Sequence, residues 1–198
     1  MAQLSFYSAE ANPPQAGDLA GLLCCRGQLA EFARTAARLT LPVDEPWRAR
    51  TLVKALAEHG VTATHTLTED GEHGVRTAFR ADLLPLAEEW TKEGEKFAPT
   101  GLVLDGGALR LWVVAAGTWL GSGYLLGLDR DAPDTYDTVR GALGAAGLPA
   151  TLQGGDEGPG LRISGRRRLG RLAELVGRPP SAAAETHWPA VSRVRQSA

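Results

Sequence analysis

The chain has 198 residues, 21 Lys and Arg against 23 Asp and Glu, a net charge of −2 and a hydrophobic share of 43%. That length holds one large core or two halves of about 100 residues each. The balance excludes a protein that is basic all over, the mark of a strongly basic nucleic-acid binder. The longest apolar run, Leu111 to Leu120, is well short of the roughly 18 residues a membrane span requires. The first ten residues lack the basic start and apolar stretch of a secretory signal. A cytoplasmic protein with no membrane partner is therefore expected.

In chain order, an N-terminal segment (residues 1–15) leads to a short helix near Ala16–Cys24. Apolar spacing then predicts a helix over Gly27–Ala37, a strand over Leu39–Val43 and a helix over Trp47–His59. Strands over Val61–Thr68 and Val75–Arg80 and a helix over Asp82–Trp90 complete a first half, 16–90. Residues 91–106 read as a linker. The second half, 107–178, opens with a helix over Gly107–Ala116 and a hairpin over Gly117–Asp129 that turns at Gly121-Ser122-Gly123. Asp134 or Thr135 caps a helix that Gly147 ends. Strands over Ala150–Gln153 and Leu161–Ser164, joined by a Gly-rich turn, precede a helix over Arg167–Val176. Pro179–Ala198 reads as a mobile tail.

The halves repeat. Gly74–Glu88 and Gly160–Glu174 align at a constant offset of 86 with seven identities in 15 positions, where chance gives about one. His59–Thr64 and Ala146–Thr151 match at an offset of 87. The second half carries about seven extra residues, which the additional hairpin strand would absorb. Strands and helices that alternate without long crossovers imply an α+β fold with mostly antiparallel sheets.

The duplicated order resembles the LAGLIDADG homing endonucleases, and within them the N-terminal region of WhiA-type bacterial regulators. The resemblance rests on Cys24-Cys25-Arg26 followed by Leu29–Leu41, on Leu109–Trp119, and on Arg162–Gly177. It implies saddle-shaped sheets backed by helices, and two pseudo-two-fold halves in a monomer. In active members each motif helix ends in a carboxylate, and the pair holds a divalent metal that activates water. The positions that look equivalent are Ala37 and Ala116. No Asp or Glu lies between Glu31 and Asp44 or between Asp105 and Asp129. Mg²⁺ demands oxygen ligands, so the resemblance implies a protein that does not cut, with no catalytic residue and no metal. The helix-turn-helix that follows this region in WhiA-type proteins is not expected within the sequence.

Strand alternation picks out the face available to DNA. Arg76 and Arg162 are a repeat-related pair expected to contact phosphates, with Ser164, Thr64, Thr66, Thr151 and Gln153 beside them as polar groups for phosphate and base edges. Val75, Thr77 and Phe79 are expected to face inward. Residues 161–198 hold eight arginines against Glu174 and Glu185. The cluster Arg166, Arg167, Arg168 and Arg171 suits an off-axis DNA contact or an acidic protein partner. Arg80 and Arg166 are placed to clasp the adjoining turn or a helix glutamate. The adjacent Cys24 and Cys25 read as buried thiols, and His59, His65, His73 and His187 lack metal-ligand spacing, so no cofactor is expected. Trp90, Trp112 and Trp119 read as core. Three functions stay open: a non-cleaving DNA-associated or regulatory protein, a protein-interaction module on the same fold, and a metal nuclease that uses other carboxylates.

Overall fold

The computed structural model describes residues 8–154 and 158–190. Its elements, in chain order, are a 3₁₀ turn Ala16–Leu19 running into α1 (Ala20–Leu23), β1 (Gln28–Phe32), β2 (Ala36–Val43), α2 (Pro46–Glu58), β3 (Ala63–Leu67), β4 (His73–Thr77), α3 (Leu84–Trp90), β5 (Thr91–Lys92), β6 (Glu95–Lys96), α4 (Gly106–Ala116), β7 (Gly117–Leu120), β8 (Gly123–Gly127), α5 (Tyr136–Ala145), β9 (Thr151–Gln153), β10 (Gly160–Ser164) and α6 (Arg166–Val176). Among the described residues no helix is long and apolar enough to cross a membrane.

Two four-stranded antiparallel sheets have the orders β1-β2-β4-β3 and β7-β8-β10-β9. They are the same topology built twice. One face of each sheet is apolar: Leu39, Leu41, Val43 and Val75 in the first, Tyr124, Leu126, Leu161 and Ile163 in the second, all buried. Helices cover these faces. α2 lays Leu52 and Leu56 on the first sheet, and α6 contributes Leu169, Leu172, Leu175 and Val176 beside the second. α4 is buried nearly all round, as a helix must be when it is packed from every side. It crosses α1 at close range: a Cβ on Gly21 would lie 1.8 Å from the Ala108 carbonyl oxygen. Only glycine admits that approach.

Four expectations are corrected. The segment Gly27–Ala37 is no helix: it is β1, a tight turn and the start of β2, paired from Gln28↔Thr40 to Phe32↔Ala36. The turn places Ala33 at φ 51° and Arg34 at φ 58°, a geometry that usually selects Asn-Gly. The segment near Ala16–Cys24, expected only as a leading helix, is therefore the motif helix of the first half. Both halves have the hairpin strand, so it does not account for the extra residues of the second. Phe79 is 39% exposed, because regular alternation stops at Thr77 and pairing resumes with the bridge Ala37↔Arg80.

Residues 179–190 also depart from a free tail. Trp188 is buried and donates from Nε1 to the Gly177 carbonyl, while the Tyr124 hydroxyl donates to the His187 carbonyl and Trp119 Nε1 to that of Trp188. Residues 191–198, and residues 155–157 of the turn between β9 and β10, lie outside the described residues. Within the linker, β5 and β6 form a small hairpin. Trp90 and Trp112 are buried, and Trp112 Nε1 donates to the Gly127 carbonyl.

Candidate nucleic-acid interface

Antiparallel register places opposed residues on one face. Gln28, Thr40, Arg76 and Thr64 form one row across the first sheet. Thr118, Leu125, Arg162 and Thr151 form the matching row across the second. Both rows lie on the face the helices leave open. The match extends to hydrogen bonds: Thr64 Oγ1 donates to the Arg76 carbonyl at 3.2 Å, and Thr151 Oγ1 to the Arg162 carbonyl at 3.5 Å. Thr66 lies in the neighbouring row with Gly74 and Pro42. Gln153 pairs with Gly160, and Ser164 with Gly123. All seven strand residues singled out from sequence are on the open faces. Arg76 stands in solvent, whereas Arg162 is half-buried and lies over Gly123, where a Cβ would sit 2.5 Å from Nε.

Where the two faces meet, a pocket of about 560 Å³ is lined by Pro42, Arg26 and Arg48 from the first half and by Ala116, Thr118, Leu125 and Gly127 from the second. The motif helices end here. The equivalent rows and the glycines that follow each helix, Gly27 and Gly117, set the correspondence at an offset of 90. The positions before those glycines are then Arg26, in the turn that follows α1, and Ala116, the last residue of α4. Ala37, the position expected from sequence, is instead a buried residue of β2.

The turn after α1 and the end of α4 each hold a resident cation. In the turn that follows α1, the buried Lys96 ammonium donates to the carbonyls of Cys25 and Gly27 (the latter at 2.8 Å) and to Asp129 Oδ2 at 2.9 Å. Gln28 Nε2 donates to the same carboxylate oxygen at 2.6 Å. At the end of α4, the buried Arg48 guanidinium donates to the carbonyls of Val113 at 3.3 Å, Val114 at 2.7 Å and Gly117 at 2.8 Å. Burial lowers the Arg48 pKa, and the nearby acidic side chains oppose that shift. The Val113 and Val114 carbonyls belong to the last turn of α4, the negative end of its dipole, so a cation is favoured there. Arg26 itself reaches the Glu72 carboxylate at 2.8 Å.

A hard divalent cation needs several oxygen ligands. Neither Arg26 nor Ala116 supplies one, and Lys96 and Arg48 hold the neighbouring carbonyls, so the residues at the helix ends do not fit a metal. Asp44, Glu45 and Asp131 line other parts of the pocket. Among the described residues no group of three or more His, Cys, Asp or Glu is placed to hold a metal.

Other sequence candidates fall into structural roles. His59 donates to the Ala55 carbonyl at 2.7 Å and meets Asp18 Oδ2 at 2.9 Å. Burial pulls its pKa down, but the bonds to Asp18 and Ala55 outweigh this and hold it above the ordinary value. His65 and His73 face each other at 3.0 Å, and His187 lies 3.6 Å from Glu45. Arg80 clasps Asp82 and the Gly60 carbonyl. Cys24 and Cys25 are free, buried thiols; burial raises both pKa values, that of Cys25 to about 11. Arg166, Arg167 and Arg168 are exposed at the start of α6, and Arg171 is paired with Glu174 at 3.4 Å.

No protein-family model matches the sequence, and no curated protein matches it either. Solved structures do. The homing endonuclease I-WcaI bound to its DNA recognition sequence superposes with a TM-score of 0.56 at 13% identity, over 89% of this chain and 83% of that one. The N-terminal LAGLIDADG domain of DUF199/WhiA gives 0.54 at 12% identity, over 85% and 84%. Full-length DUF199/WhiA from Thermatoga maritima gives 0.59 at 13% identity; 91% of this chain covers 58% of that protein. The fold is LAGLIDADG-like, as the resemblance implied. Its name spells its motif in one-letter code. Leu19-Ala20-Gly21-Leu22-Leu23-Cys24-Cys25-Arg26-Gly27 lies against that spelling position by position. Cys24 and Arg26 stand where it has aspartates. Leu109–Gly117 lies against it in the second half, with Val114 and Ala116 at those positions.

Proposed function

We propose that this chain is a DNA-associated protein of regulatory type, a monomer that lays its two open sheet faces along a duplex and does not cut it. One observation carries the reading: the positions that close the two motif segments are Arg26, in the turn after α1, and Ala116, the last residue of α4, and the carbonyls beside them are held by Lys96 and Arg48. A metal nuclease needs carboxylates at that place to collect cations and activate water. Resident ammonium and guanidinium groups supply positive charge near the pseudo-axis without a Lewis acid. The paired Arg76 and Arg162 rows, rich in Thr and poor in carboxylates, suit phosphate and base-edge contacts. Binding to DNA and residence at the nucleoid follow from the same reading.

The test is fluorescence anisotropy on random duplex DNA across a salt series, wild type beside Arg76→Ala/Arg162→Ala. The slope of log K against log salt is about −0.9 per phosphate neutralised, so the double variant is expected to lose about 2 units of slope. Absence of binding at the lowest salt would refute the reading.

A second reading, a protein-interaction module on the same scaffold, is favoured by one feature. Phe32 and Phe79 are 59% and 39% exposed, with ring centroids 5.3 Å apart, and the Arg38 guanidinium lies 4.4 Å over the Phe79 ring. Exposed aromatics beside arginine are characteristic of binding hot spots. Under this reading, Phe32→Ser/Phe79→Ser abolishes capture of a protein partner in nuclease-treated extract.

A further inference from the structure

We infer that the arginine groove at the start of α6 is a one-sided phosphate anchor that holds the duplex beyond the paired rows and gives it a direction. The inference rests on the DNA reading above and deepens it.

The groove encloses about 790 Å³ and is lined by Gly147, Pro149, Ser164, Gly165, Arg166, Arg167, Arg168 and Arg171. Its walls carry four arginines and no carboxylate. Ser164 links it to the open face. Going from Arg162 to Ser164, β10 moves one row outward along the sheet, to the end where it pairs with Gly123 beside the β7–β8 turn. The groove thus begins where the paired rows stop. Gly165, at φ 91°, turns the chain sharply there, and no side chain caps the first amides of α6. Three arginines in the first turn of a helix, Arg166, Arg167 and Arg168, are unfavourable for the helix alone, because the dipole repels cations. A bound phosphate reverses that balance, since it meets both the free amides and the guanidinium forks.

The first half has no counterpart. At the repeat offset of 86, Arg166, Arg167 and Arg168 correspond to Arg80, Ala81 and Asp82. Arg80 is already bonded to Asp82 and to the Gly60 carbonyl. The outer end of the first sheet carries the aromatic pair Phe32 and Phe79 instead. A duplex on the pseudo-symmetric rows therefore meets strong phosphate binding at one end only, so its two orientations are not equivalent. Continuity with the Arg162–Ser164 strand favours nucleic-acid phosphate over an acidic protein.

The experiment compares labelled random duplexes of ~12 and ~24 base pairs, about one and two helical turns, by anisotropy across a salt series. Wild type is set beside Arg166→Ala/Arg167→Ala/Arg168→Ala and beside Arg76→Ala/Arg162→Ala. Wild type is expected to bind the longer duplex more tightly. The triple variant should lose that advantage, with a slope lower by roughly 2.7 on the long duplex and affinity for the short one within about twofold. The Arg76/Arg162 variant should weaken on both lengths. A triple variant that matches wild type on both lengths would overturn the anchor, leave DNA binding intact and assign the cluster to an acidic partner. Equal weakening on both lengths would also overturn it, by placing the cluster inside the central footprint. A wild type that binds neither duplex would remove the DNA reading and the anchor with it. Thermal melts that coincide with wild type verify the fold of each variant.

Discussion

Replacing Arg48 with Met tests whether the end of α4 depends on its resident cation. The guanidinium is 3% exposed and serves three carbonyls of the second half from a helix of the first. Met keeps the length of the apolar stem and removes every donor. A hydrogen bond from a charged donor contributes about 1.5–3 kcal/mol, and three are lost together. The desolvation that opposes this is relieved at the same time, since no carboxylate is bonded to the guanidinium. The net cost is about 3 kcal/mol, or a fall of about 6–12 °C in Tm for a protein of this size. Lys at the same position keeps the charge but has no planar fork to span three acceptors, and should recover about half. The assay is thermal and urea unfolding followed by far-UV circular dichroism. A loss under about 1 kcal/mol for Arg48→Met would mean that water from the adjoining pocket replaces the guanidinium, and the claim of a built-in cation would fail.

Gly21→Val drives a side chain into the Ala108 carbonyl at the crossing of α1 and α4; it should cost at least about 3 kcal/mol, whereas Gly144→Ala, in open space on α5, should be neutral or stabilising by urea titration. Because His59 has a raised pKa in the folded state, its pairing with Asp18 contributes stability that is complete below about pH 6.5 and lost as pH rises through the folded value. A stability–pH profile that is flattened over this window by His59→Gln is expected, and one that the substitution leaves unchanged would contradict the assignment. Cys24 and Cys25 should react with a thiol reagent only as fast as the protein unfolds, since burial keeps both protonated; rapid labelling of the native protein at neutral pH would count against that.

The second half was largely legible in the sequence, and the first motif helix was not. β4, β10, and the elements following them share a constant offset, because the repeat preserves both the inward apolar residues and the outward Arg76 and Arg162. The open-face residues followed from alternation alone. Gly27–Ala37 misled for a definite reason. Its Leu29, Ala30, Phe32 and Ala36 recur at helical spacing, yet the segment is set by pairing with Ala36–Val43, and its turn uses Ala33 and Arg34 at positive φ where no Gly or Asn signals it. The real motif helix is only Ala20–Leu23 with its 3₁₀ lead-in, too short to announce itself by periodicity. Its letter-by-letter match to the family motif was the signal that could have found it. Lys96 and Arg48 were beyond sequence reasoning: each lies 65 residues or more from the nearest carbonyl it serves in the other half or across the linker.

The central claim, a duplex gripped and not cut, meets its most direct test in one tube. Supercoiled plasmid is held at saturating protein in low salt with Mg²⁺, Mn²⁺ or EDTA, and run on a gel before and after protein removal. Retarded plasmid that returns fully supercoiled, identically in all three conditions, is the result predicted. Nicked or linear plasmid with either metal would contradict the non-cleaving half of the claim, and plasmid that is never retarded would contradict the binding half.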